Sequence, residues 1–377
     1  MSGDSAAESE GAFPDAFPIS DDGETLALEK VLTGRGFVTG KSGSGKSNTA
    51  SVVAEELLSL GLPMLVVDTD GEYVGLGETF DALHAGGDDR CDVQVSAADA
   101  ERLATLALDR NVPVILDISG FLDAEEAADL VAAVVRELFQ REATRRTPFL
   151  LVVEEIHEFL PQTGGLDDLG KLLVQVVKRG RKRGLGVLGL SQRPAAVDKE
   201  FITQCDWFVW HRLTWESDVD VAERFLGDEA DRIADLGAGE AFVVTDWDAQ
   251  VRRVQFRRKR TADVGATPTL DDLDRPRPRG SRDDVESALT GDTAGEDPSA
   301  DATGDPGGDD ADGASGETDE DSGTDDSSRS LPTVDPVELG PDASLLEEAA
   351  ALTAYVVARV LDRSRRALSA VGRRAGR

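Results

Sequence analysis

The sequence predicts an α/β fold with a mostly parallel sheet held between helices, and three observations carry that expectation. Apolar runs such as Met64-Leu65-Val66-Val67 and Leu150-Leu151-Val152-Val153 do not alternate with polar residues, as befits strands covered on both faces. Segments with apolar residues at helical spacing lie between such runs. Finally, Gly40-Lys41-Ser42-Gly43-Ser44-Gly45-Lys46-Ser47 fits the phosphate-cradling pattern G-x-x-x-x-G-K-[ST] at every fixed position.

Taken in order, residues 1–22 are rich in Ser, Asp, Glu, Gly and Ala and are expected to form a disordered leader. The domain itself is expected over 23–272. Gly36-Phe37-Val38-Thr39 is a short buried strand by composition, and Asn48 to Leu60 carries Val52, Val53, Leu57 and Leu58 at helical spacing. The loop at 40–47 therefore joins a strand to a helix. Further strands are predicted at Met64 to Asp68, Val112 to Asp117, Phe149 to Glu154, Gly186 to Ser191, Asp206 to Arg212, Ala241 to Asp246 and Val251 to Arg258. Helical periodicity is clearest in Ala124 to Thr144 and Leu166 to Lys182. An acidic disordered linker is expected over 273–340, since Asp283 to Asp326 holds 17 acidic residues and no basic one. Residues 341–377 read as an amphipathic helix with a basic end, in which seven Arg follow from Arg359 onward against the single acid Asp362.

The loop makes nucleotide phosphate binding the first functional expectation. At a strand-to-helix junction the amides of Ser42, Gly43, Ser44, Gly45 and Lys46 can point at phosphates, aided by the positive end of the helix dipole. Gly40 and Asn48 bound the loop. Lys46 is expected to neutralise phosphate charge, and Ser47 to ligate Mg²⁺. A hydrolase needs a second, acidic site. The strand at 149–153 ends in Glu154-Glu155, so the first carboxylate is expected to hold the metal and the second to orient and deprotonate the attacking water. ATP and Mg²⁺ are the expected cofactors. His157 reads as a packing or supporting residue, and His84 and His211 show no partner spacing for a metal.

Four blocks then resemble the HerA/FtsK branch of the RecA-like P-loop ATPases, in particular archaeal HerA-type proteins. They are Gly43-Ser44-Gly45-Lys46-Ser47; Val66-Val67-Asp68-Thr69-Asp70-Gly71-Glu72-Tyr73; Glu154-Glu155-Ile156-His157; and Arg179-Gly180-Arg181-Lys182-Arg183-Gly184 leading into Ser191-Gln192-Arg193-Pro194. The resemblance covers about residues 34–272. It implies a RecA-like fold of the additional-strand, catalytic-Glu type, and an ATP-driven translocase or helicase that acts on double-stranded DNA as a ring, a hexamer. It also implies that Gln192 senses the γ-phosphate or positions water, and that Arg181 reaches into a neighbouring subunit's site. Arg181 keeps a second reading, because basic residues at a helix C-terminus are favoured by the dipole alone; Arg179 and Arg183 compete with it for the trans-acting role. Glu72 is either a metal or nucleotide contact or a turn residue. Longer members of the family carry a β-barrel before the ATPase, linked to pairing with the NurA nuclease. Only about 35 residues precede the loop here, too few for a barrel, which puts such a nuclease partner in doubt.

Composition bounds the rest. Among 377 residues, 74 Asp+Glu stand against 40 Lys+Arg, for a net charge of −34, and only 8 of the basic residues are Lys. That balance suggests a halophilic protein working in concentrated salt. Two cysteines, Cys91 and Cys205, are not expected to build a four-ligand zinc site, and an oxidised framework would need more of them, which fits a reduced, cytoplasmic setting. No run is long and apolar enough to span a membrane. The rival reading is an ATP-gated adaptor that recruits partners through its C-terminal tail without moving DNA. A nucleotide kinase or GTPase is disfavoured by the vicinal Glu pair and the lack of a guanine-recognition motif.

Overall fold

The computed structural model describes residues 13–262. The linker expected over 273–340 and the helix expected over 341–377 lie outside the described residues.

Two short strands, β1 (Ala16–Pro18) and β2 (Thr25–Ala27), pair antiparallel ahead of helix α1 (Leu28–Thr33). The chain then runs β3 (Arg35–Thr39), α2 (Lys46–Ser59), β4 (Met64–Asp68), α3 (Val74–Phe80), β5 (Leu83–Gly86), β6 (Val93–Gln94), α4 (Ala100–Asp109), β7 (Val114–Asp117) and α5 (Ala124–Arg145). It continues through β8 (Phe149–Val153), α6 (Asp168–Arg179), β9 (Leu185–Ser191), α7 (Lys199–Ile202), β10 (Trp207–His211), α8 (Glu216–Leu226), β11 (Glu240–Thr245) and β12 (Asp248–Gln255). Strands β3 to β12 form one sheet in the order β12-β11-β10-β3-β9-β8-β4-β7-β5-β6. Every pairing from β10 through to β6 is parallel; only β11 and β12 run antiparallel, at one edge.

The sheet is buried on both faces, and the non-alternating runs divide between them. In β8, Phe149, Leu151 and Val153 join the core cluster that includes residues of α4, α5, α6 and α8, whereas Leu150 and Val152 join the one that includes residues of α1 and α2. β4 splits the same way, with Leu65 and Val67 on one face and Met64 and Val66 on the other. A period of two still governs the strand; both faces happen to be apolar.

β9 is inserted between the loop-bearing strand β3 and β8. This is the additional-strand arrangement of a RecA-like P-loop fold. All three strands are parallel, so Thr39, Val153 and Ser191 end at the same edge of the sheet, where βα loops converge on a ligand.

Several boundaries differ from expectation. Residues 13–22 of the expected disordered leader are ordered: Phe17 and Ile19 are buried in the core beside Leu26, apolar anchors that the polar composition around them masks. The helix expected from Leu166 to Lys182 starts at Asp168, where the Asp167 side chain accepts from the Gly170 N–H at 2.7 Å. It ends at Arg179, followed by a 3₁₀ turn, Gly180–Arg183, closed by Gly184 at φ 88°. The last strand starts earlier and stops at Gln255 rather than Arg258, because the segment after it leaves the sheet to pair with α2. β5, β6 and α4 are elements that the sequence pattern did not announce.

Candidate nucleotide site

The phosphate loop folds as glycine placement dictates. Gly43 has φ 70° and Gly45 φ 115°, backbone that L side chains rarely adopt, and a Cβ on Gly45 would come within 3.0 Å of Gly239. α2 begins at Lys46, directly after the left-handed Gly45. Beneath the loop, His211 Nε2 lies 2.9 Å from Thr49 Oγ1, and His211 Nδ1 lies 2.8 Å from the Glu240 carbonyl. Burial lowers this imidazole's pKa to about 4, so it stays neutral and donates to that carbonyl. The Gly239 N–H donates to the Ser44 carbonyl at 2.9 Å, tying the loop to the β11 hairpin.

Ser42, Gly43, Gly45, Lys46, Ser47 and Asn48 line a cavity of about 280 Å³, closed on the far side by Asp70, Glu72, Glu154, Glu155 and Gln192. Of the residues singled out in the sequence, Gly40 and Ser44 do not line it. Gly40 packs against His211 and Ser44, and Ser44 is buried within the loop. Asn48 also ties α2 to the segment that follows β12, since its side chain donates to the Arg257 carbonyl at 2.8 Å and accepts from the Lys259 N–H at 2.9 Å.

The two adjacent carboxylates have opposite electrostatics. Burial, reinforced by Asp68, Glu72 and Asp70, pushes the Glu154 carboxyl up to about 10, so it keeps its proton at neutral pH. Burial acts on Glu155 in the same direction. There it is outweighed by the His157 hydrogen bond, the Lys46 charge and the Gln192 backbone N–H, which leave its pKa below the ordinary glutamate value. His157 Nδ1 lies 3.1 Å from Glu155 Oε2 and 3.1 Å from Ser191 Oγ; the Gln192 N–H is 3.3 Å from the same Glu155 oxygen. Glu155 sits at φ 40°, a strained conformation for a non-glycine residue. That turn explains how two consecutive residues after a strand both reach one cavity.

The donor set fits a nucleotide with a divalent cation. Ser47 Oγ lies 3.5 Å from Glu154 Oε1, while Glu154 Oε2 is buried without a hydrogen-bond partner, the kind of orphaned oxygen a cation satisfies. Ser47 and Glu154 would hold Mg²⁺, and Lys46 with the loop amides would hold the phosphates.

Arg181 is not brought to this cavity within the chain. It precedes β9 at the opposite edge of the sheet, where its Nη1 is 3.0 Å from Asp206 Oδ1, an oxygen shared with Arg35 at 2.9 Å. Asp68 has a role that the sequence did not disclose. Its two oxygens accept from the N–H groups of Asp70, Gly71, Glu72 and Tyr73, which sets the loop that carries Asp70 and Glu72. The basic run at 252–260 is more paired than its composition suggests: Arg252 pairs with Glu24, Arg253 with Glu240, and Arg257 and Arg260 with Glu56. Arg257 also pairs with Glu55, which is 0% exposed.

Residues 24–141 match the family described as the helicase HerA central domain. A DNA double-strand break repair helicase HerA from Pyrococcus furiosus is 30% identical over 125 residues, covering 32% of this chain and 22% of that protein. Its namesake from Sulfolobus acidocaldarius is 26% identical over 136 residues, covering 33% and 27%. The matched segments thus span only about a quarter of those relatives' length. Among solved structures, the bacterial conjugative coupling protein TrwBdeltaN70 superposes with a TM-score of 0.49 at 13% identity, over 67% of this chain and 92% of that one. That last likeness is too distant to bear on function. With the loop, carboxylates and inserted strand all in place, residues 13–262 form a P-loop α/β domain whose segment 24–141 is similar to the helicase HerA central domain.

Proposed function

We propose that this chain is an ATP-hydrolysing motor of the HerA type, which assembles as a ring of identical subunits, a hexamer, and moves double-stranded DNA. The observation that carries the reading is the convergence of Lys46, Ser47, Glu154, Glu155 and Gln192 on one cavity from three parallel strand ends. Lys46 and the loop amides bind and orient the β- and γ-phosphates. Ser47 and Glu154 would hold Mg²⁺, which would supply charge neutralisation at the phosphoryl oxygens. Glu155, ionised and held by His157, takes the proton of the attacking water, and Gln192 positions that water against the γ-phosphate.

The site is half of an active site in this reading. In-line phosphoryl transfer gains from a cation on the far side of the γ-phosphate, and Arg181 lies too far round its own sheet to supply it. A neighbouring subunit would present it, which is the reason for proposing a ring. DNA as the cargo rests on what the related helicases are named for.

Turnover and binding, measured side by side, test the reading. Lys46→Ala should abolish nucleotide binding, whereas Glu155→Gln should keep binding and lose at least about 10²-fold in kcat. Undiminished hydrolysis by Glu155→Gln overturns the assignment of the base. Long duplex DNA should stimulate hydrolysis; turnover indifferent to duplex DNA would sink the translocase and favour a nucleotide-gated adaptor.

A further inference from the structure

We propose that His84, Cys91 and Asp117 form a binding site for a zinc-type divalent cation, separate from the nucleotide site. The three come from different places in the chain: His84 from β5, Asp117 from the end of β7, and Cys91 from the turn between β5 and β6. Their ligand atoms all lie within 4.8 Å of one another, and all three residues are buried.

The geometry fits a tetrahedral site. His84 Nε2 is 2.9 Å from Asp117 Oδ2 and 3.8 Å from Cys91 Sγ. Ideal tetrahedral bonds to zinc separate nitrogen from oxygen by about 3.3 Å and nitrogen from sulfur by about 3.5 Å, so both distances from the histidine lie within a few tenths of an ångström of ideal. Imidazole and thiolate select a borderline-soft metal over Mg²⁺ or Ca²⁺, whose preferred ligands are oxygens. Asp117 is already oriented: its Oδ1 accepts from Ser119 N at 2.9 Å and Ser119 Oγ at 2.6 Å, leaving Oδ2 turned toward the histidine. Gly86 makes room, since a Cβ there would lie 2.7 Å from Cys91 Sγ. On binding, the Cys91 S–H bond breaks, the sulfur bonds the metal and the proton leaves to solvent.

The site is a staple with one coordination position not filled by a His, Cys, Asp or Glu among the described residues. Asp117 pairs in register with Asp68, and Asp68 holds the 70–73 loop whose acids line the nucleotide cavity. A metal here would fix the β5–β6 turn to the flank of that loop. A proton on His84, giving a buried imidazolium–carboxylate pair, is the alternative occupant.

Cobalt distinguishes the two. The purified full chain, stripped with chelator and titrated with Co²⁺ alone, should develop a thiolate-to-cobalt charge-transfer band that saturates at one equivalent and is bleached by Zn²⁺. Cobalt at the nucleotide site meets only oxygen and gives no such band. The band should persist in Cys205→Ser and vanish in Cys91→Ser. X-ray absorption at the zinc edge of the wild-type chain needs no variant, and should show one sulfur among nitrogen and oxygen neighbours. No charge-transfer band in a chain with free thiols, a band that survives Cys91→Ser, or a zinc shell without sulfur each overturns the site.

Discussion

Glu154 and Glu155 are adjacent in sequence and identical in chemistry, yet their surroundings drive their pKa values apart. Glu154 is buried among Asp68, Asp70 and Glu72 and keeps its proton to about 10, whereas Glu155 is held ionised by His157, Lys46 and the Gln192 amide. A cation at Glu154 must displace that proton. Mg²⁺ binding without nucleotide is therefore expected to release about one proton per ion at neutral pH, and to tighten as pH rises. Calorimetric titration in two buffers of different ionisation enthalpy measures this; zero release would contradict it. The sign for stability follows. A carboxyl whose folded pKa is raised favours folding less as pH climbs above the ordinary glutamate value, so Glu154→Gln should raise the melting temperature of the metal-free chain at pH 8. His157 is a positioning residue. Removing it as His157→Ala is expected to lower kcat by up to about 10²-fold with nucleotide binding intact, because Glu155 loses the contact that offsets its strained φ of 40°. Equal loss of binding would mean that His157 supports the fold instead.

Elements position these side chains through buried polar contacts as much as through apolar packing. The acid-Gly-Glu-Tyr stretch after β4 holds its shape because one carboxylate, Asp68, collects four backbone N–H groups. The segment after β12 is anchored on α2 in a similar way: Glu55 accepts from Arg257 and from the Arg260 and Thr261 amides, while Asn48 accepts from Lys259. The helix that carries the phosphate loop is thus clamped by residues about 200 positions away. Arg257→Ala leaves Glu55 buried without its cationic partner, held only by the Arg260 and Thr261 donors, and should cost about 3–5 kcal/mol in thermal or denaturant unfolding. A loss under about 1 kcal/mol would show that the pair is screened by solvent. The strands were legible because their apolar runs are unbroken; the clamp was not, since an Arg-rich strand end and a Glu-Glu pair inside a helix each look like solvated surface when read alone.

At the scale of the whole molecule, the sheet separates the nucleotide cavity from Arg181, one at each edge. If Arg181 serves a neighbour's phosphates, mixing Arg181→Ala with Lys46→Ala subunits should restore activity that neither has alone; no rescue at any ratio counts against the finger, and the Asp206 pairing would then be its whole role. Among the described residues, no helix is long and apolar enough to cross a membrane. If the proposed DNA contact runs through Lys or Arg on phosphates, counterion release weakens it as salt rises, so any DNA stimulation of turnover should fall with salt. By itself the sequence determined the α/β class, the phosphate loop and the Glu pair, because each is a local pattern of a few consecutive residues. Only the tertiary structure decided that β9 lies between the loop and the Glu pair, that His157 and His211 support them, and that His84, Cys91 and Asp117 meet. Those relations depend on strand order and chain crossings, which bring together residues whose spacing in sequence carries no signal.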